Sequence, residues 1–174
     1  DWDKNTTKGK ALSFLVMSYK LLMLAKEHIK KEDKVLMVTN PAPLVLLMSW
    51  LKGKVNFELN VLVHDVFPEN TIPAGVKVPI YGCFKCMFDK AYSRADRLIV
   101  LGRDMKVIMQ NKVSKYPIKP QIEIIENWAD IEGIKPMPFP EGKIVLEYAG
   151  NIGRVQGLDK VIEQLPEGVE FHLY

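Results

Sequence analysis

The stretch that decides the fold is EYAGNIGRVQGLDKV, residues 147–161. It runs from an apolar strand-like segment into a glycine-bearing turn and then into a helical period. Gly150, Gly153 and Gly157 form G-x-x-G-x-x-x-G, which is neither the dinucleotide fingerprint nor a Walker loop. The physics is shared with both. Glycine lets a backbone approach an anion closely, and the N–H groups at the start of the following helix face it. Arg154 adds a charge-assisted contact to an anion placed there. A tight strand–helix turn with an exposed arginine explains the same spacing, so both readings stand on the residues alone.

Working outward, KPMPFPEG at 135–142 holds three prolines in eight residues and reads as a linker, so the strand after it opens a new unit. Downstream, LDKVIEQL predicts a helix and VEFHLY (169–174) a strand. Upstream, the pattern predicts a helix over 10–30, a buried strand at KVLMVT (34–39), and NPAP with Asn40 as cap and proline in the first turn. A helix through LVLLMSWL stops near Gly53, and a strand follows at FELNVLVHD (57–65). Residues 66–79 form a loop punctuated by Pro68, Pro73, Gly75 and Pro79. Then come a helix over 80–93, a strand over 96–102, a helix over 103–113 with Asp104 near its start, and a strand over 121–127.

Strands alternating with helices predict an α/β fold. Its core is a parallel, Rossmann-like sheet with helices on both faces, followed by the first strand–helix–strand of a second such domain. The boundaries expected are 1–134, 135–142 and 143–174. Sheets of this kind bind ligands beyond the carboxyl ends of their strands, which selects the loops after Thr39, His64, Leu101, Glu126 and Ala149.

Composition bounds the function. Apolar residues make up 48% and charged residues 26%, as in a globular protein rather than a disordered one. The net charge of +3 is uneven, about +5 over 1–132 and −2 over 133–174. That suits an anionic surface or a phosphorylated ligand for the first part. No basic stripe with interleaved aromatics appears, which argues against nucleic acid as partner. Cys83 and Cys86 lack two further ligands for zinc, and His28, His64 and His172 are scattered, so no metal site is expected. The cysteines read as two small apolar residues on one helix face. No apolar run reaches the ~20 residues of a spanning helix. The apolar period over 10–30 fits packing on a core and docking on a lipid surface alike.

Two further motifs fall at strand ends. In VHDVFPEN, His64 and Asp65 lie where a strand yields to a loop, and Glu69 follows four residues later. A histidine with two carboxylates can orient a hydroxyl or act as a general base; equally, Asp65 can cap a turn that Pro68 shapes. In IIENWADI, Asn127 and Trp128 precede the proline linker, where they can face a cleft or simply complete a turn.

Taken in order, KVLMVTNPAPLVLLMSWL, VHDVFPEN, SRADRLIVLGRDMK, IIENWADI and EYAGNIGRVQGLDKVIEQL resemble the bacterial glycosyltransferases of family 4. The similarity is to the capsular polysaccharide and lipopolysaccharide O-antigen branch with the two-domain GT-B fold. Asp65, Pro68 and Glu69 match its Asp-x-x-Pro-Glu signature, and Asn127 and Trp128 its Asn-Trp element. The resemblance implies a retaining transfer, without metal or cofactor, from a nucleotide-diphosphate sugar to a lipid-linked saccharide acceptor. It would take place in the cytoplasm or on the inner face of the membrane. It implies that His64, Asp65 and Glu69 serve catalysis or the acceptor, and that Asn127 and Trp128 face the cleft. The donor diphosphate would lie beside Gly150, Asn151, Gly153, Arg154, Gln156 and Gly157. Many members carry cations where Asn151 and Gln156 stand, which leaves Arg154 as the charged contact. Paired glutamates eight positions apart, typical of the donor domain, are absent.

On this reading the chain is most of an acceptor-side domain with the opening of a donor domain. It is expected to be inactive alone and prone to self-association through unfinished sheet edges. A non-catalytic Rossmann-like binding or partner module is the alternative.

Overall fold

The computed structural model describes residues 7–73, 75–76, 78–130, 132–135, 138, 142, 144–153 and 155–174. They divide into two units: Asp1–Ile72 with Lys77–Asn127, and Pro73–Val76 with Trp128–Tyr174. Most of the predicted linker lies outside the described residues.

In the first unit the elements follow as α1 (Thr7–His28), β1 (Lys34–Val38), α2 (Pro43–Val55), β2 (Glu58–Val63), a single 3-10 turn (Glu69–Thr71), α3 (Tyr81–Ser93), β3 (Arg97–Val100), α4 (Arg103–Val113) and β4 (Gln121–Ile124). The four strands pair in parallel in the order β1-β2-β3-β4. This is a mixed α/β unit with a parallel sheet flanked by helices, consistent with a Rossmann-like fold.

Right-handed crossovers in that strand order carry α2, α3 and α4 to one face of the sheet. The burial shows the consequence. Met37, Leu59, Val61, Val63, Leu98 and Val100 alternate along β1, β2 and β3 and are buried with Val45, Met48 and Leu51 of α2, Phe88 and Tyr92 of α3, and Met109 and Val113 of α4. The opposite face is more open: Leu36 is 66% exposed, Val38 is exposed, and Leu62 and Ile99 are half-buried.

Two local expectations change. Asn40 is not the cap of α2. That helix starts at Pro43 with Ala42 at the cap position and no side-chain capping bond, so the proline supplies the helical φ and its missing N–H costs nothing there. Packing on the core also fails to account for most of the apolar surface of α1. Ser18 and Leu22 are buried, while Leu12, Phe14, Leu15, Met17, Tyr19, Leu21, Met23 and Leu24 are exposed.

The second unit holds β5 (Ile144–Tyr148), α5 (Leu158–Glu163) and β6 (Val169–Leu173), with β5 and β6 paired in parallel. It is the predicted strand–helix–strand. Of its described apolar residues, only Leu158 is buried.

Candidate functional site

β2 ends at Val63, so His64 and Asp65 emerge from the carboxyl edge of the sheet, and both are exposed. A residue from the neighbouring strand fixes their backbone. Thr39, fully buried just beyond β1, accepts the N–H groups of His64 and Asp65 on Oγ1 at 3.2 and 3.1 Å. Its own N–H donates to the Leu62 carbonyl at 3.2 Å. One hydroxyl thereby satisfies two donors that no ladder can take, and the two side chains are held outward on a defined turn.

Glu69 is not gathered with them. Its carboxylate accepts from Lys112 Nζ at 2.6 and 2.7 Å and from Lys85 Nζ at 2.8 Å. Lys112 also reaches Asp89 at 2.7 Å and the Phe67 carbonyl at 3.0 Å. Lys85 and Lys115 flank the same aspartate at 3.1 and 3.5 Å. The side chains of Lys112 and Asp89 are each only 2% exposed. A buried charge persists only when paired, and here two carboxylates and three lysines tie the loop after β2 to α3 and α4. Burial works against the charge on Lys85, but its hydrogen bonds to Glu69 and Asp89 prevail and its pKa rises. Burial likewise raises the Tyr92 phenol, which lies under the same loop. The i,i+4 spacing of Lys85 and Asp89 was readable as a helix pair; nothing local marked Lys112 as the cation shared by Asp89 and Glu69.

Beside this turn the sheet edge opens into a cavity of ≈660 Å³. Its walls come from three of the loops at the carboxyl ends of the strands: Val66 after β2, Gly102 and Arg103, Asp104, Met105 and Ile108 at the start of α4 after β3, and Glu126 after β4. The rule that ligands gather at strand carboxyl ends picked out these loops, but not Arg103 or Asp104 within them.

Asn127 and Trp128 fall where the two units divide, and both are exposed, Trp128 to 89%. Trp128 therefore packs on nothing described. In the second unit, the turn after β5 is pinned at both ends. Gly150 N–H donates to the Tyr174 carbonyl at 3.2 Å, Tyr148 Oη donates to the Asn151 carbonyl at 2.9 Å, and Gln156 N–H to the Gly153 carbonyl at 3.2 Å. Gly157 caps α5 with φ +60°, a left-handed conformation that a side chain would strain. Asn151, Gly153 and Gln156 are exposed; Arg154 lies outside the described residues.

Among the described residues no three His, Cys, Asp or Glu side chains are placed to share a metal ion. Cys83 and Cys86 are both exposed on α3. No helix among these residues is long and apolar enough to cross a membrane.

The chain is similar, at 35% identity over 176 aligned positions, to a Pseudomonas aeruginosa protein named probable glycosyltransferase WbjE. The match covers 94% of this chain and 43% of that protein, so the chain spans less than half the length of this relative. No family model matches the chain. No solved structure matches it.

Proposed function

We propose that this chain is the acceptor-side part of a glycosyltransferase of the family 4, GT-B type. The observation that carries the reading is the His64–Asp65 turn, presented at the carboxyl edge of a parallel sheet by the buried Thr39 hydroxyl. Similarity to a protein named as a probable glycosyltransferase supports it. The transfer proposed is a retaining one from a nucleotide-diphosphate sugar to a lipid-linked saccharide, without metal or cofactor. His64 and Asp65 contact the transferring sugar or the acceptor hydroxyl. Glu69 holds their loop through Lys85 and Lys112 and touches no substrate. Backbone N–H groups of the turn at 150–157, with Arg154, stabilise the departing diphosphate electrostatically.

The exposed apolar surface of α1, with exposed Lys20 and Lys26 on the same helix, suits contact with an anionic lipid surface. Such contact would bring the protein to a lipid-borne acceptor in the cytoplasm or at the inner membrane face.

The test is transfer by the full-length protein, given labelled sugar nucleotides and membrane lipid acceptors. His64→Ala and Asp65→Asn are each expected to lower kcat/KM by about 100-fold or more. A well-folded full-length protein that turns over none of a broad donor panel would overturn the reading in favour of a non-catalytic module. Undiminished transfer by both variants would leave glycosyl transfer standing and remove His64 and Asp65 from its site.

A further inference from the structure

We propose that Cys83 and Cys86 form half of a structural zinc site, which a second copy of this chain completes as a four-thiolate centre. The proposal lies outside the glycosyl-transfer reading and stands or falls without it.

Both thiols are free and exposed on α3. They stand three positions apart, close to one helical turn, so their side chains leave neighbouring points of the helix surface. That spacing decides between the two things a thiol pair can do. Cβ atoms three positions apart on a helix lie about 5–6 Å from one another, whereas a disulfide holds them at about 3.8 Å. Closing a disulfide here would deform the helix. Zinc–sulfur bonds of about 2.3 Å in a tetrahedron set two sulfurs roughly 3.8 Å apart, a distance that side-chain rotation alone supplies. The regular helix therefore suits a bridging metal better than a disulfide, and thiolate donors select zinc over magnesium or calcium.

A structural zinc takes four ligands, and this pair supplies two. Among the described residues no third His, Cys, Asp or Glu side chain is placed to join them. A second copy provides the missing two through the same residues, as a two-fold axis requires. The helix surface beside the thiols suits such a contact. Ile80, Cys83, Phe84 and Met87 follow the i, i+3, i+4, i+7 spacing of one helix face, and Ile80, Phe84 and Met87 are 79%, 41% and 47% exposed. Cys86 borders that face. The Tyr116 hydroxyl lies 3.8 Å from its sulfur, near enough to act as an outer partner to a metal-bound thiolate. On binding, Zn²⁺ displaces one proton from each of four thiols and no electron is transferred. The centre so formed is doubly negative, and Lys90, exposed four positions after Cys86 on the same helix, offsets part of that charge.

The test takes the 174-residue chain, reduced and stripped of metal by a chelator, and follows it by sedimentation velocity and metal analysis. The chelated sample fixes the starting mass. Zinc chloride is expected to double that mass at one zinc per two chains, and EDTA to reverse the change. Co²⁺ in place of zinc should give the intense absorption of a tetrahedral all-thiolate site. Cys83→Ser and Cys86→Ser should each weaken zinc binding by more than about 100-fold, beyond the 10–100-fold that an outer partner is worth. Their circular dichroism should match that of the parent, since both side chains are exposed. Failure to bind zinc overturns the site. So does zinc bound at one per chain with no gain in mass, or zinc-dependent association that persists when both cysteines are replaced by serine.

Discussion

In the first unit, β3 has a strand on each side, and its Leu98 and Val100 are fully buried. In the second, β5 has β6 as its partner, and Ile144 and Leu146 remain 65% and 42% exposed. Both units use the same strand–helix–strand device with parallel pairing. A single crossover covers little of one sheet face and leaves the other bare, and parallel strands are stable when buried on both faces. Repetition of the device is therefore what turns it into a core: helices from successive crossovers must meet one another over the sheet, as α2, α3 and α4 do.

The sharpest way to break this comparison is to cut into the better-packed side. Leu98→Ala empties a fully buried position in β3 and should cost about 4 kcal/mol, since transfer and cavity terms add where neighbours cannot collapse. Urea unfolding followed by circular dichroism measures it. A loss below about 1.5 kcal/mol would mean that the core is far looser than its burial implies.

Next is Lys112→Met. It keeps most of the packing volume but removes the cation shared by Glu69, Asp89 and the Phe67 carbonyl. Breaking a buried pair from one side costs about 3 kcal/mol or somewhat more. Asp89 retains Lys85 and Lys115, which limits the loss. Hydrogen exchange at residues 66–71 should rise with the substitution. Unchanged exchange there would show that the loop is held by its own turn and not by the network.

These two cases also show what the sequence exposes to reading and what it hides. The parallel sheet was legible because alternation of apolar runs with helical periods is local, and Leu98 and Val100 sit within one such run. The exposed His64–Asp65 pair was legible because a strand visibly ends there. The surroundings of Glu69 were not. Its partners stand 16 and 43 residues away, and which lysine turns inward depends on how α3 and α4 pack, a tertiary matter that spacing does not encode. Arg103 and Asp104 looked like the ordinary first turn of a helix; only the meeting of three loops makes them line a cavity. The exposure of α1 was hidden for the same reason, since an apolar period does not say which neighbours exist to cover it.

Thr39→Val is a smaller cut, at the point where the packed unit presents its site. Valine fills nearly the same space but leaves the His64 and Asp65 N–H groups without their acceptor. The expected cost is about 1.5 kcal/mol, because the turn is partly exposed and water can take one donor. Thr39→Ser should restore most of it. A valine variant as stable as the parent would show that the turn does not depend on the hydroxyl; a serine variant no better than a destabilised valine would show that it needs the methyl as well.

The smallest effect carries the comparison to its other side. Leu146→Ala lies in β5, the strand equivalent in order to the opening strand of a sheet, and removes the same atoms as Leu98→Ala. With Leu146 42% exposed and only Leu158 buried among the described apolar residues of its unit, little surface leaves water on folding and no cavity can form. The loss in the 174-residue chain should be about 0.5 kcal/mol or less, so identical chemistry should differ several-fold in energy between the two units. Amide exchange in β5 and β6 should accordingly proceed through local opening at free energies well below that of β2 and β3. A cost for Leu146→Ala that approached the Leu98 value would mean that β5 is packed against something. The difference between the units would then lie in what covers each sheet rather than in how many crossovers each has completed.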